Sequence, residues 1–139
     1  MFKATQKIYD ALNGRSGLKV FTEESEKSSE VWLQFGIKNG GSYRIKFISV
    51  DDDNDVALRV YGLIRTDEEH HFQILEALNT LNNKYRYVKF CCDKDGDVNI
   101  EFDFPVNCPD PSASAYELVA RIVNIVDEAY PVLMRALWQ

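Results

Sequence analysis

Three features of this sequence predict an α+β fold, an antiparallel sheet of about five to six strands accompanied by three helices. Apolar residues alternate with polar ones at Val31, Leu33, Phe35 and Ile37, and again at Val98, Ile100, Phe102 and Phe104, the period of strands with one buried face. Two turn signals, Asn39-Gly40-Gly41 and Asp93 to Asp97 around Gly96, join such runs into hairpins. Longer segments space their apolar residues three and four apart, as helices do.

From the amino end, residues 2–13 read as a helix with Phe2, Thr5, Ile8, Tyr9 and Leu12 recurring, stopped at Asn13-Gly14. A strand follows near Leu18–Thr22, then a polar turn over 23–29. The strand at Val31–Ile37 leads through Asn39-Gly40-Gly41, where the commonest tight turn requires positive φ, to a return strand with Tyr43, Ile45 and Phe47. After the solvated turn Asp51–Asp55, another strand places Val56, Leu58, Val60 and Ile64 on one side.

The second helix is predicted to start at a capping box, Thr66 with Glu69 three residues on, and to bury Phe72, Leu75, Leu78 and Leu81. The hairpin Tyr85–Phe104 comes next, with Asn99, Glu101 and Asp103 outward. Pro105, Pro109 and Pro111 make a rigid connector. A second capping box at Ser114 and Glu117 opens the last helix, whose wide apolar face runs Leu118, Val119, Ile122, Ile125, Val126, Ala129, Leu133 and Leu137. Pro131 inside it predicts a kink or break.

The chain has 139 residues, 45% hydrophobic and 12% aromatic, and reads as one domain over 1–139. At this size roughly 68% of the unfolded surface can be buried, so a core forms without staples. No stretch approaches the ~20 apolar residues of a membrane span, and the start at Met1-Phe2-Lys3 lacks a secretory apolar run, which predicts a cytoplasmic protein. A net charge of −6 and a pI near 4.9 disfavour nucleic acid, which draws on clustered Lys and Arg. Arg44 and Lys46 share a strand face, but Ser42 and Ile48 flank them and no patch extends from the pair. Cys91, Cys92 and Cys108 form neither a disulfide framework nor a zinc spacing and read as reduced thiols, with one of the adjacent pair in the core and the other half exposed.

The candidate chemistry is thin. Asp93, Asp95 and Asp97, like Asp51, Asp53 and Asp55, have the odd spacing of a calcium loop. Counted from Asp93, however, the glycine and glutamate positions of such a loop fall on Val98 and Phe104, and from Asp51 on Val56 and Gly62. His70 and His71 diverge by about 100° on a helix and share no metal or nucleophile. Glu101 and Asp103 stand roughly 6.5–7 Å apart on one strand face, a separation usable for glycoside hydrolysis, but on an outward face with no evident cleft. Phosphate cradles, nucleophile elbows and zinc motifs are missing from the sequence. The expectation is no catalytic residue, no metal and no cofactor.

Trp32, Tyr61 and Tyr87 are placed by the alternation opposite the best apolar faces, with Leu63 and Ile48 nearby. Half-buried aromatics are common on sheets, but the functional reading is a second sheet face that a partner chain or another copy covers.

At Leu78-Asn79, Asn82-Asn83, Lys89-Phe90, Asp93 to Val98, Phe102 and Val126 to Pro131, the chain resembles the YbjN family, candidate regulators of bacterial sensory transduction. The resemblance implies a fold like the type III secretion chaperones, helices around an antiparallel sheet, frequently paired as dimers. It spans residues 2–137 in element order and is sharpest from about residue 70 onward. The chaperone pattern has three strands before the middle helix, whereas this chain reads up to four. The resemblance carries no catalytic residues over and implies a non-enzymatic adaptor, chaperone-like protein or regulator. The leading expectation is therefore a protein-binding module with Trp32, Tyr61 and Tyr87 as partner contacts and no nucleic acid or membrane. The alternatives are a small-molecule or enzymatic domain using Glu101, Asp103 and a histidine, and a purely structural homodimer.

Overall fold

The computed structural model describes residues 1–38, 40–50, 55–104 and 111–138. In chain order the elements are α1 (Lys3–Leu12), β1 (Phe21–Glu24), β2 (Ser29–Gly36), β3 (Ser42–Ser49), β4 (Val56–Arg65), α2 (His71–Lys84), β5 (Lys89–Cys92), β6 (Asp97–Phe104) and α3 (Ser112–Trp138), with a 3-10 turn at Arg15–Gly17. The six strands form one antiparallel sheet ordered β1-β2-β3-β4-β6-β5. The α+β class and the three helices are as the sequence predicts, and the six strands fall within the predicted five to six.

Alternation sends Val31, Leu33, Ile45, Phe47, Leu58, Val60 and Ile100 to one face, where they join Ile8, Leu12, Ile74, Leu81, Ile122 and Leu133 of the helices in a single apolar cluster. Each such side chain contributes about 1.5–3 kcal/mol by leaving water. Helix α1 is pinned to β2 where the hydroxyls of Thr5 and Ser29 meet at 2.7 Å inside the core. The other face of the sheet carries no helix among the described residues.

Several local expectations give way to tertiary structure. Strand β1 runs Phe21–Glu24 rather than Leu18–Thr22 and is exposed throughout. The Thr66 capping box does not form; Thr66 is buried, its N–H donates to Gly96 O at 2.8 Å, and the helix starts later at His71. Asp67 takes over at that end, accepting the His70 N–H at 2.9 Å. The buried stripe of α2 is Ile74, Ala77, Leu78 and Leu81, while Phe72 is 70% and Leu75 44% exposed. A strict three-residue spacing slips about 60° per step, so Phe72 stands roughly half a turn from Leu81. Helix α3 begins at Ser112, ahead of the Ser114 box, and runs unbroken through Pro131, which sits on an exposed position.

The β2–β3 hairpin closes with Ile37 N–H to Gly41 O at 2.8 Å, and Asn39 lies outside the described residues. Neither glycine there uses positive φ. Gly40 instead lets α3 approach: a Cβ on it would meet the Tyr130 ring at 3.0 Å. At the β5–β6 turn Gly96 does take φ +86°, and the Asp93 carboxylate accepts the N–H groups of Asp95 and Asp97 at 2.9 and 3.1 Å. Asp93 therefore serves as a turn residue. Residues 51–54 and 105–110, which hold Pro105, Cys108 and Pro109, lie outside the described residues, and of the proline connector only Pro111 is described, buried ahead of α3.

Candidate functional site: the helix-free face of the sheet

The register Phe21↔Trp32 places both rings on the helix-free face, stacked at 4.3 Å with planes 15° apart. Arg44 of β3 lays its guanidinium over the outer face of Trp32 at 4.0 Å, and Lys19 reaches the Phe21 ring at 5.2 Å. Trp32 is thus half-buried between a ring and a cation, an arrangement that fixes Arg44 in place. Arg44 has no carboxylate partner among the described residues. Lys46, two residues on, pairs with Glu30 at 3.5 Å.

Tyr61, 56% exposed, marks the place where β4 leaves β3. The β3–β4 ladder ends at Lys46↔Arg59, and the β4–β6 register slips between Val60 and Ile64. Gly62 takes φ +63° there, and its N–H donates to the Asn99 side-chain oxygen at 2.8 Å. Asn99 is consequently buried rather than solvated, and the bulge turns Leu63 into the core instead of onto the open face. A cleft of about 360 Å³ opens beside the bulge, lined by Gln34, Ser42, Tyr43, Arg44, Lys46 and Tyr61.

Across the neighbouring strands Arg59 pairs with both of the carboxylates that alternation had aligned. Its Nη1 meets Asp103 Oδ1 at 2.7 Å and its Nε lies 3.6 Å from Glu101 Oε1. Glu101 also accepts the Cys91 thiol at 2.7 Å. Partial burial and then Glu101 push the Cys91 thiol up to about 11, away from thiolate reactivity. Cys91 and Cys92 are both half-buried and free, so neither is the core residue of the pair.

Tyr87 does not share this face. It takes φ +74°, which ends the extended run before Lys89 and swings its ring toward α3. There it stands edge-on to Phe102 at 6.3 Å, under the Arg121 guanidinium at 5.2 Å. The aromatic trio of the sequence reading therefore splits: Trp32 and Tyr61 on the open face, Tyr87 on the helix side at the rim. Phe21 and Arg44 complete the open-face cluster. Phe21 lay inside the predicted strand Leu18–Thr22 but escaped sequence reasoning because its pairing with Trp32 is visible only in the register, and so is the aromatic support of Arg44.

The histidines lie elsewhere. His70 Nδ1 is 2.8 Å from Asp67 Oδ1, a contact that first among its causes holds Asp67 below the ordinary carboxylate range. His71 lines a broad polar cleft with Arg65, Asp67, Asp93 and Lys94, whereas Glu101 and Asp103 line a different one beside Tyr87 and Lys89. The carboxylate pair and the histidines are not brought into one cleft. Among the described residues, no group of three or more His, Cys, Asp or Glu side chains is placed to hold a metal ion, and no helix is long and apolar enough to cross a membrane.

The fold and this face define an α+β protein whose sheet is covered by helices on one side and open on the other. Residues 30–133 match the model of the YbjN family, described as "Putative bacterial sensory transduction regulator", and the chain belongs to that family. Neither the curated proteins nor the solved structures compared with it gave a match.

Proposed function

We propose that this chain is a non-enzymatic regulatory module that binds a partner polypeptide on the helix-free face of its sheet, in a chaperone-like manner and in the cytoplasm. The observation that carries the reading is the Phe21–Trp32–Arg44 stack beside exposed Tyr61, aromatic surface held rigid at low entropic cost. The family's description as a regulator supports it. So does the placement of Glu101 and Asp103, both paired with Arg59 and lining a different cleft from His71. Tyr87 would contribute from the rim, as a contact for a partner that reaches around the β5–β6 edge. Reduced Cys91 and Cys92 suit a cytoplasmic setting.

The test is cross-linked affinity capture from native lysate with Trp32→Ala combined with Tyr61→Ala, each variant checked for an unaltered circular dichroism spectrum. Partner recovery is expected to disappear in the double variant. Recovery equal to the parent chain, with the fold intact, removes the open face from the function.

A further inference from the structure

We infer that the cleft between β3 and β4 binds an acidic, extended segment of a partner polypeptide, its carboxylates taken by Arg44 and Lys46. The inference rests on the open-face reading above and names the chemistry of the occupant.

The cleft exists because β4 keeps β6 and abandons β3. The bulge at Tyr61–Leu63 is anchored to β6 through Gly62 and Asn99, while β3 continues paired with β2 as far as Ser42↔Gly36. From Ser42 to Ile45 the β4-facing backbone of β3 has no strand partner among the described residues, the condition under which an extended chain adds hydrogen bonds. Among the described residues two cations and no carboxylate line this cleft, against a net charge of −6 for the whole chain. That local reversal of sign selects acidic ligands.

Spacing adds a second match. Arg44 and Lys46 are two residues apart on one strand, so their stems are roughly 6.5–7 Å apart, as are side chains i and i+2 of any extended segment laid alongside. The Trp32 ring occupies one face of the Arg44 guanidinium and leaves its N–H edge for a planar carboxylate. Lys46 holds Glu30 only loosely, at 3.5 Å, and can exchange it for a ligand carboxylate. Tyr61, largely exposed, completes the lining.

The probe is an acetylated Glu-Ser-Glu-Ser-Glu pentapeptide titrated into the full chain and followed by amide NMR, with Lys-Ser-Lys-Ser-Lys as the reversed-charge control. Shifts are expected at Ser42, Arg44 and Tyr61, and affinity should fall about tenfold in Arg44→Gln and again in Ser42→Asp. Shifts elsewhere, equal binding of the lysine peptide, or unchanged affinity in both folded variants overturns the inference. Partner capture separates the two readings. Capture lost in Trp32→Ala with Tyr61→Ala but kept in Arg44→Gln and Ser42→Asp discards the acidic segment and leaves the open face standing. Capture unaffected by either set discards both.

Discussion

The side-chain amide of Asn82 clamps the backbone of Phe90, donating to its carbonyl at 2.9 Å and accepting its N–H at 2.7 Å. Helix α2 in this way supplies the outer edge of β5 with the partner a seventh strand would have given. The contact gives a physical reason for the Asn82 and Phe90 positions of the family resemblance. Replacing Asn82 by Ala unpairs both backbone groups at a half-covered edge. The expected loss is about 2 kcal/mol, a Tm lower by roughly 6–8 °C. Thermal melts check the magnitude, and hydrogen exchange at the Phe90 amide checks the cause.

Gly96→Ala should be the costliest glycine substitution. A Cβ there would stand 2.5 Å from the Thr66 carbonyl oxygen, at a φ of +86°. Strain and clash together should exceed about 2 kcal/mol. Gly14→Ala, with φ +80° but open space around it, should cost only about 1 kcal/mol. Urea midpoints of the two variants compare them directly.

The two sides of α2 predict opposite responses to truncation. Ile74→Ala empties a fully buried site and should cost about 2–4 kcal/mol. Phe72→Ser, at 70% exposure, should change stability by less than about 0.5 kcal/mol. Equal losses would place Phe72 in the core, as the three-residue spacing first suggested.

Acid stability depends on Asp93. Partial desolvation works upward on its pKa, but hydrogen bonds from the Asn99 amide and from the N–H groups of Asp97 and Asp95 outweigh it, and the folded value lies below the ordinary 3.8. A carboxylate depressed on folding stabilises the protein above its unfolded pKa, and that contribution drains away as pH falls through the folded one. Asp67, lowered by His70, adds in the same direction. Asp93→Asn should therefore lose less of its urea midpoint between about pH 6 and about pH 3 than the parent chain does.

Cys91 should alkylate slowly with iodoacetamide at about pH 8, because burial and the Glu101 carboxylate keep its thiol protonated. Glu101→Gln removes the charge and should speed the reaction at Cys91 more than at Cys92. Peptide mass spectrometry resolves the neighbouring sites.

The α+β class, the order of the elements and the place of both hairpins were legible in the sequence, because they follow from periodicity over a few residues, and at Gly96 from turn chemistry as well. Val31, Leu33, Ile45, Phe47, Val98 and Ile100 went to the core as their alternation required. The sequence also showed that the Asp93 turn could not be a calcium loop. Tertiary structure alone decided the rest. Thr66 left its cap for Gly96, and Tyr87 turned to the rim on a positive φ. Asn99 was drawn into the interior by the β4 bulge. Above all, the pairing of Phe21 with Trp32 and the parting of β3 from β4 built the open-face cluster from residues 19 to 61. Contacts across strands depend on register, and register is set by the whole sheet and its bulge, which no short window of sequence contains.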